Sequence, residues 1–146
     1  MGDTPWQGDA CSLVEEFRSG RRSPLEELDA SYAAIDASSL NAFSYLPREQ
    51  ARRAAETADV SKPFGGVPIG VKELDAVEGW PETHASVPFR DRIAEYTGVM
   101  VQRIRDVGGA VLAGRSPYAS ASRSSAPPTT SPTTCRSSAP SPSKAS

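Results

Sequence analysis

The chain has 146 residues, with 16 basic and 18 acidic side chains and a net charge of −2. Residues 119–146 carry +3 from Arg123, Arg136 and Lys144, which leaves −5 on residues 1–118, so no basic patch marks a nucleic-acid surface. No run of about 18 apolar residues could cross a bilayer, which argues against a membrane partner.

The start, Met1-Gly2-Asp3-Thr4-Pro5-Trp6, has neither the basic nor the apolar region of a signal peptide. Cys11 and Cys135 are the only cysteines and stand near opposite ends, so no disulfide framework is expected. Both features fit a reducing, cytoplasmic setting.

Helices and strands alternate along the chain. Ser12 with Glu15 reads as a capping box opening a short helix that buries Leu13, Val14 and Phe17 and stops at Gly20. Ser23 with Glu26 is a second capping box, with Pro24 in the first helical position. Leu25, Leu28, Tyr32 and Ile35 then form one apolar stripe on a helix from about 24 to 37, and the stripe is core. Ala42 to Leu46 is expected as a short strand. Pro47 starts a third helix, whose small face is Ala51, Ala54, Ala55 and Ala58 and whose charged face is Arg48, Arg52, Arg53 and Glu56.

Pro63-Phe64-Gly65-Gly66-Val67-Pro68-Ile69-Gly70-Val71-Lys72 places one lysine at the end of a short apolar strand rich in glycine and proline. Alternation sends Val67, Ile69 and Val71 to one face and Pro68, Gly70 and Lys72 to the other, with Gly70 leaving room beside the lysine stem. An ammonium with little water around it gives up its proton more readily, and a neutral amine is a general base. Lys72 is therefore the candidate catalytic residue.

The loop from Glu78 to about Tyr96 is broken by Pro81 and Pro88. Trp80, between Gly79 and Pro81, is expected to anchor it. Val99, Met100, Ile104 and Val107 mark a fourth helix ended by Gly108-Gly109, and Ala110 to Gly114 forms a further strand. Strand, long connection, helix and strand in this order imply a crossover onto a largely parallel sheet, hence an α/β fold.

Three blocks, Val71-Lys72-Glu73-Leu74, Thr83-His84-Ala85-Ser86 and Val101 to Gly114, resemble the amidase signature family in order and spacing. The opening residues Ser23 to Leu28 and Leu40-Asn41-Ala42-Phe43 agree, and the resemblance covers about residues 9 to 115. It implies the N-terminal part of the amidase signature fold, a mixed, largely parallel sheet flanked by helices.

The resemblance further implies hydrolysis of a carboxylic amide C–N bond without a cofactor. A serine nucleophile, a second serine on a cis peptide bond and a lysine relay the proton, and backbone N–H groups stabilise the oxyanion. Lys72 matches the family's lysine. Glu73 stands where the family usually has aspartate, and is expected to be solvated or locally paired. The loop carrying the two serines, of the type Gly-Gly-Ser-Ser-Gly-Gly, does not occur in the sequence.

From Ala119 to Ser146 every residue is Ser, Thr, Pro, Ala, Arg, Cys or Lys, a composition that cannot bury a core and reads as a disordered tail. Ser, Thr, Pro and Ala share a middle C in the codon, and Arg, Cys and Ser can have G there. A frame displaced by one base in a GC-rich gene produces this bias, so a frameshift near Arg115 to Tyr118 is expected, with residues 1–118 the amidase part and 119–146 out of frame. Ser124-Ser125 and Ser137-Ser138 lack the flanking glycines of a catalytic loop.

The expected function is thus an amidase-type hydrolase of small-molecule amides, with this chain inactive alone. The alternatives are a non-catalytic interaction module with a genuine disordered tail and a fragment of the amidase subunit of a tRNA-dependent amidotransferase. His84, the sole histidine, has no Gly-x-Ser-x-Gly or paired acid to work with and is expected at most to line the substrate site. Asp75 and Glu78 lack the His/Cys cluster or calcium-loop spacing of a metal site.

Overall fold

The computed structural model describes residues 4–84 and 86–116. The expectations for residues 119–146 lie outside these described residues.

The first helix, α1 (Ala10–Arg18), starts earlier than its sequence suggests. Asp9 is the cap: its Oδ1 accepts the Ser12 amide at 2.7 Å. The Ser12 hydroxyl instead donates back to the Asp9 carbonyl at 2.9 Å and accepts the Trp6 indole N–H at 3.1 Å. Two short polar side chains competed for one cap, and the one that could reach the second free amide won. Leu13, Val14 and Phe17 are buried as expected, and Gly20 leaves the helix with φ +71°. Cys11 lies in α1, and Cys135 falls outside the described residues, as does the expectation about their pairing.

Helix α2 (Pro24–Ala37) follows its sequence signals closely. Ser23 Oγ accepts the Glu26 amide at 3.2 Å, and Glu26 Oε2 accepts the Ser23 amide at 2.7 Å, which closes the capping box. Leu28 and Tyr32 are buried, with Leu25 and Ile35 half-buried beside them.

Helix α3 (Arg48–Glu56) packs Ala51 and Ala55 into the same cluster, with Ala58 beside them, while Ala54 is exposed. Its contact face follows the spacing 51, 55, 58, which leaves Ala54 off to one side. Arg48 and Arg52 pair with Asp36 and Asp29 of α2 along the rim of this contact.

Strand β1 (Pro68–Lys72) pairs in parallel with β2 (Val111–Ser116). Thirty-eight residues separate them, as a crossover connection requires. The register runs Ile69 to Leu112 and then Gly70 to Gly114, so Ala113 is an extra residue in β2. Its carbonyl accepts the Tyr32 hydroxyl at 2.7 Å. Burial pushes the Tyr32 phenol up to about 12, against the opposing charge of Arg48, so it stays a donor.

Side chains from the two strands feed separate clusters: Val111 and Ala113 join α2 and α3, while Val71 and Leu112 join Val77, Trp80 and Val101. Val67 packs on Leu13, Val14 and Phe17.

The expected strand from Ala42 to Leu46 reduces to a single antiparallel bridge, Tyr45 with Arg115. Pro47 has no N–H to continue a ladder, and the chain turns directly into α3. The loop after Glu78 closes at its neck, where Ala94 N–H donates to the Trp80 carbonyl at 2.9 Å and Glu82 N–H to the Arg92 carbonyl at 2.9 Å. Trp80 is 1% exposed and anchors the loop as expected.

Helix α4 (Val99–Gln102) passes into a π-helical turn over Arg103–Val107. Of the apolar residues that mark this helix in the sequence, Val99, Met100 and Val107 are exposed and Ile104 is half-buried; Val101 is the buried one. The wide turn, with Gly108 N–H reaching back to the Arg103 carbonyl, holds an extra residue and carries Val107 outward. Among the described residues no helix is long and apolar enough to cross a membrane.

Candidate functional site

Lys72 is the last residue of β1, opposite Ser116 in the register. It lies at the C-terminal edge of a parallel pair, where α/β sheets open their ligand clefts. The side chain is half-buried rather than sealed from water. The space beside Gly70 is not taken as expected. The Phe43 ring lies over Gly70 and its register partner Gly114, and a Cβ there would stand 3.2 Å and 2.8 Å from ring carbons. These paired glycines hold an aromatic ring against the strands.

The chain turns sharply after the lysine. Glu73 N–H donates to the Ser116 carbonyl at 3.0 Å, and Asp75 N–H to the Lys72 carbonyl at 2.9 Å. Glu73 is 3% exposed. One carboxylate oxygen accepts the Ser44 hydroxyl at 3.2 Å and the other the Thr83 hydroxyl at 2.5 Å. Burial raises the pKa of Glu73, but the bonds from Thr83 and Ser44 and the charge of Arg115 outweigh it, so the group lies below the ordinary glutamate value. The carboxylate is therefore buried and paired, and its partners come from distant segments rather than from local sequence.

Arg115 completes this cluster. It is 1% exposed, donates through Nη1 to the Glu73 carbonyl at 2.8 Å and through Nη2 to the Asp75 carbonyl at 3.3 Å, and lies 5.7 Å from the centre of the Trp80 ring. Burial lowers its pKa, and the negative charges of Glu73, Glu82 and Asp75 oppose that shift. An arginine nonetheless stays protonated in proteins. Its backbone forms the bridge with the segment before α3: Arg115 N–H donates to the Tyr45 carbonyl at 2.8 Å, and Ser44 N–H to the Arg115 carbonyl at 2.9 Å.

Ser44, Thr83 and Arg115 were absent from the candidates read in the sequence. For Arg115 a signal existed: Val111-Leu112-Ala113-Gly114-Arg115 ends an apolar strand on a cation, the same pattern that singled out Lys72.

His84 adopts φ +48°, with Nε2 3.9 Å from Glu82 Oε1 and its ring edge-on to Phe89. Glu82 is buried and pairs with Arg92 at 2.9 Å. These contacts of the imidazole, with a carboxylate and an aromatic ring, hold the loop together. The Asp75 carbonyl serves Arg115, and Glu78 N–H donates to Thr97 Oγ1 at 3.1 Å. Among the described residues no group of His, Cys, Asp and Glu could hold a metal ion.

The amidase family profile matches residues 26–135. An acylamidase of Rhodococcus erythropolis is 35% identical over 112 residues, which is 70% of this chain and 24% of that protein. A glutamyl-tRNA(Gln) amidotransferase subunit of Akkermansia muciniphila is 33% identical over 107 residues, covering 73% of this chain and 23% of its own. Among solved structures, 6-aminohexanoate cyclic dimer hydrolase complexed with substrate superposes with a TM-score of 0.69 at 32% identity, covering 75% of this chain and 23% of that one. The chain thus spans about a quarter of the length of the curated relatives it matches. With a family profile over most of its length, sequence relatives above 30% identity and a shared fold, the chain belongs to the amidase signature family.

Proposed function

We propose that this chain carries the lysine of an amide-hydrolysing site, in which Lys72 accepts the proton that a serine nucleophile releases when it attacks a carboxylic amide. The substrate is a small-molecule amide, its C–N bond is cleaved to acid and amine or ammonia, and the reading invokes no cofactor. The carrying observation is the place of Lys72: the end of a parallel strand, half-buried, with the following turn held on Glu73 and Arg115. Identity to this chain is nearly equal for the acylamidase and for the tRNA-dependent enzyme, so what supports the reading is the amide chemistry in both names rather than either substrate.

The serines of such a relay are not supplied by a Gly-Gly-Ser-Ser-Gly-Gly loop in this sequence. Ser44 and Thr83 donate to Glu73 and are not free to attack. The purified 146-residue chain, incubated with simple primary and aryl amides, is expected to release no ammonia or aniline above the buffer rate. Turnover that disappears in Lys72→Ala would show that the chain holds its own nucleophile and would overturn this part of the reading.

A further inference from the structure

We propose that Glu73 and Arg115 are positioning residues for Lys72, forming a buried clamp that fixes the lysine's direction at the end of β1. The inference rests on the reading of Lys72 as the proton acceptor. Three segments distant in sequence converge on the single residue after the lysine. Ser44, from the segment before α3, and Thr83, from the long loop, each donate to a different oxygen of the Glu73 carboxylate at 3.2 Å and 2.5 Å. Arg115, from β2, donates to the Glu73 carbonyl at 2.8 Å and to the Asp75 carbonyl at 3.3 Å.

Side chain and main chain of Glu73 are thus both held, and the turn that would let Lys72 swing is tied to the neighbouring strand. A carboxylate this deeply buried is costly unless its oxygens are bonded, and both are. Ordinary packing would have been met by an apolar residue of the same volume. The charge is informative because it demands one geometry from three elements at once.

The test measures the lysine directly and needs no turnover. The chain has three lysines, Lys62, Lys72 and Lys144, so reductive methylation with 13C-formaldehyde gives three lysine resonances beside that of the N-terminal amine, and single Lys→Arg variants assign the three. Lys62, whose Nζ donates to the Asp106 carbonyl at 2.7 Å, is the internal reference for general loosening. In Glu73→Ala the methylation rate of Lys72 relative to Lys62 is expected to rise at least roughly tenfold, the factor for losing even one of the two hydrogen bonds to this charged group.

Thr83→Val, which keeps the shape and removes one hydroxyl, moves the ratio the same way by less, and Thr83→Ser restores the native ratio. The Trp80 indole resonance reports folding. If Glu73→Ala loses that signal, the Thr83 pair decides. A native ratio in Thr83→Val, or in a folded Glu73→Ala, overturns the clamp while leaving the amide-hydrolysis reading standing. Amide turnover by the chain alone overturns only its expected inactivity, and turnover left unchanged by Lys72→Ala overturns the proton-acceptor reading without touching the ratio.

Discussion

Replacing Trp80 by alanine is expected to remove about 4 kcal/mol of stability, the middle of the range for a buried aromatic. The ring is 1% exposed and packs with Val71, Val77, Val101 and Leu112, so it lies between β1, β2 and α4. Its edge meets Tyr45 at 5.4 Å between ring centres, its indole N–H donates to Gln50 Oε1 at 2.9 Å, and its face lies under Arg115.

Truncation therefore opens a cavity, strands a side-chain amide and takes away the surface on which a buried cation rests. Domains hold only about 5–15 kcal/mol in total, so this one change consumes much of what is available. Urea unfolding followed by far-UV circular dichroism measures it. Trp6→Ala, at a half-buried position near the N-terminus, is the comparison. A midpoint for Trp80→Ala equal to that of Trp6→Ala would contradict the packing described.

The second large effect is expected for Arg115→Met, at about 3 kcal/mol, because removing one partner of a buried charged network leaves the others unpaired. Methionine fills a similar volume but donates nothing. The carbonyls of Glu73 and Asp75 lose their donors, and the buried carboxylates of Glu73 and Glu82 lose a nearby positive charge. Replacing a whole buried ion cluster with apolar side chains can be harmless, but here the anions stay behind.

The pH dependence gives an independent reading. Glu73 has a pKa below its ordinary value of 4.5, so its contribution to stability is full above 4.5 and is lost as pH falls through the folded value. Arg115 is one of the groups that lower it. In Arg115→Met the folded value rises and the acid loss of stability begins at higher pH. Urea midpoints measured from pH 7 down to pH 3 test this; parallel curves for native and variant would refute it.

Legibility in the sequence followed how local each determinant was. Helix α2 was readable to its end residues because Ser23, Pro24 and Glu26 act on each other within one turn. The start of α1 was misread because Asp9 and Ser12 carry the same capping chemistry, and only the built helix shows which reaches the amide. Ala42 to Leu46 has strand composition, yet a strand needs a partner, and this segment meets β2 at Arg115 alone. The exposed Val99, Met100 and Val107 show the same limit, since a helical stripe names a face without saying whether anything covers it.

At the site, Lys72 stood out through an apolar strand ending in a charge. Arg115 offers the same pattern at the end of β2, one residue beyond the apolar run. The bonds of Ser44 and Thr83 to Glu73 span 29 and 10 residues and leave no short-range mark.

The central claim is that this segment supplies the working lysine of an amidase site. Its most direct test is a chimera in which the matching segment of the Rhodococcus erythropolis acylamidase is replaced by residues of this chain, assayed for acylamidase turnover with and without Lys72→Ala. The account predicts turnover by the folded chimera and a loss of at least about a thousandfold in kcat on Lys72→Ala, the scale for removing one member of a jointly acting catalytic unit. A folded chimera that hydrolyses its amide equally fast with alanine at position 72 would contradict it.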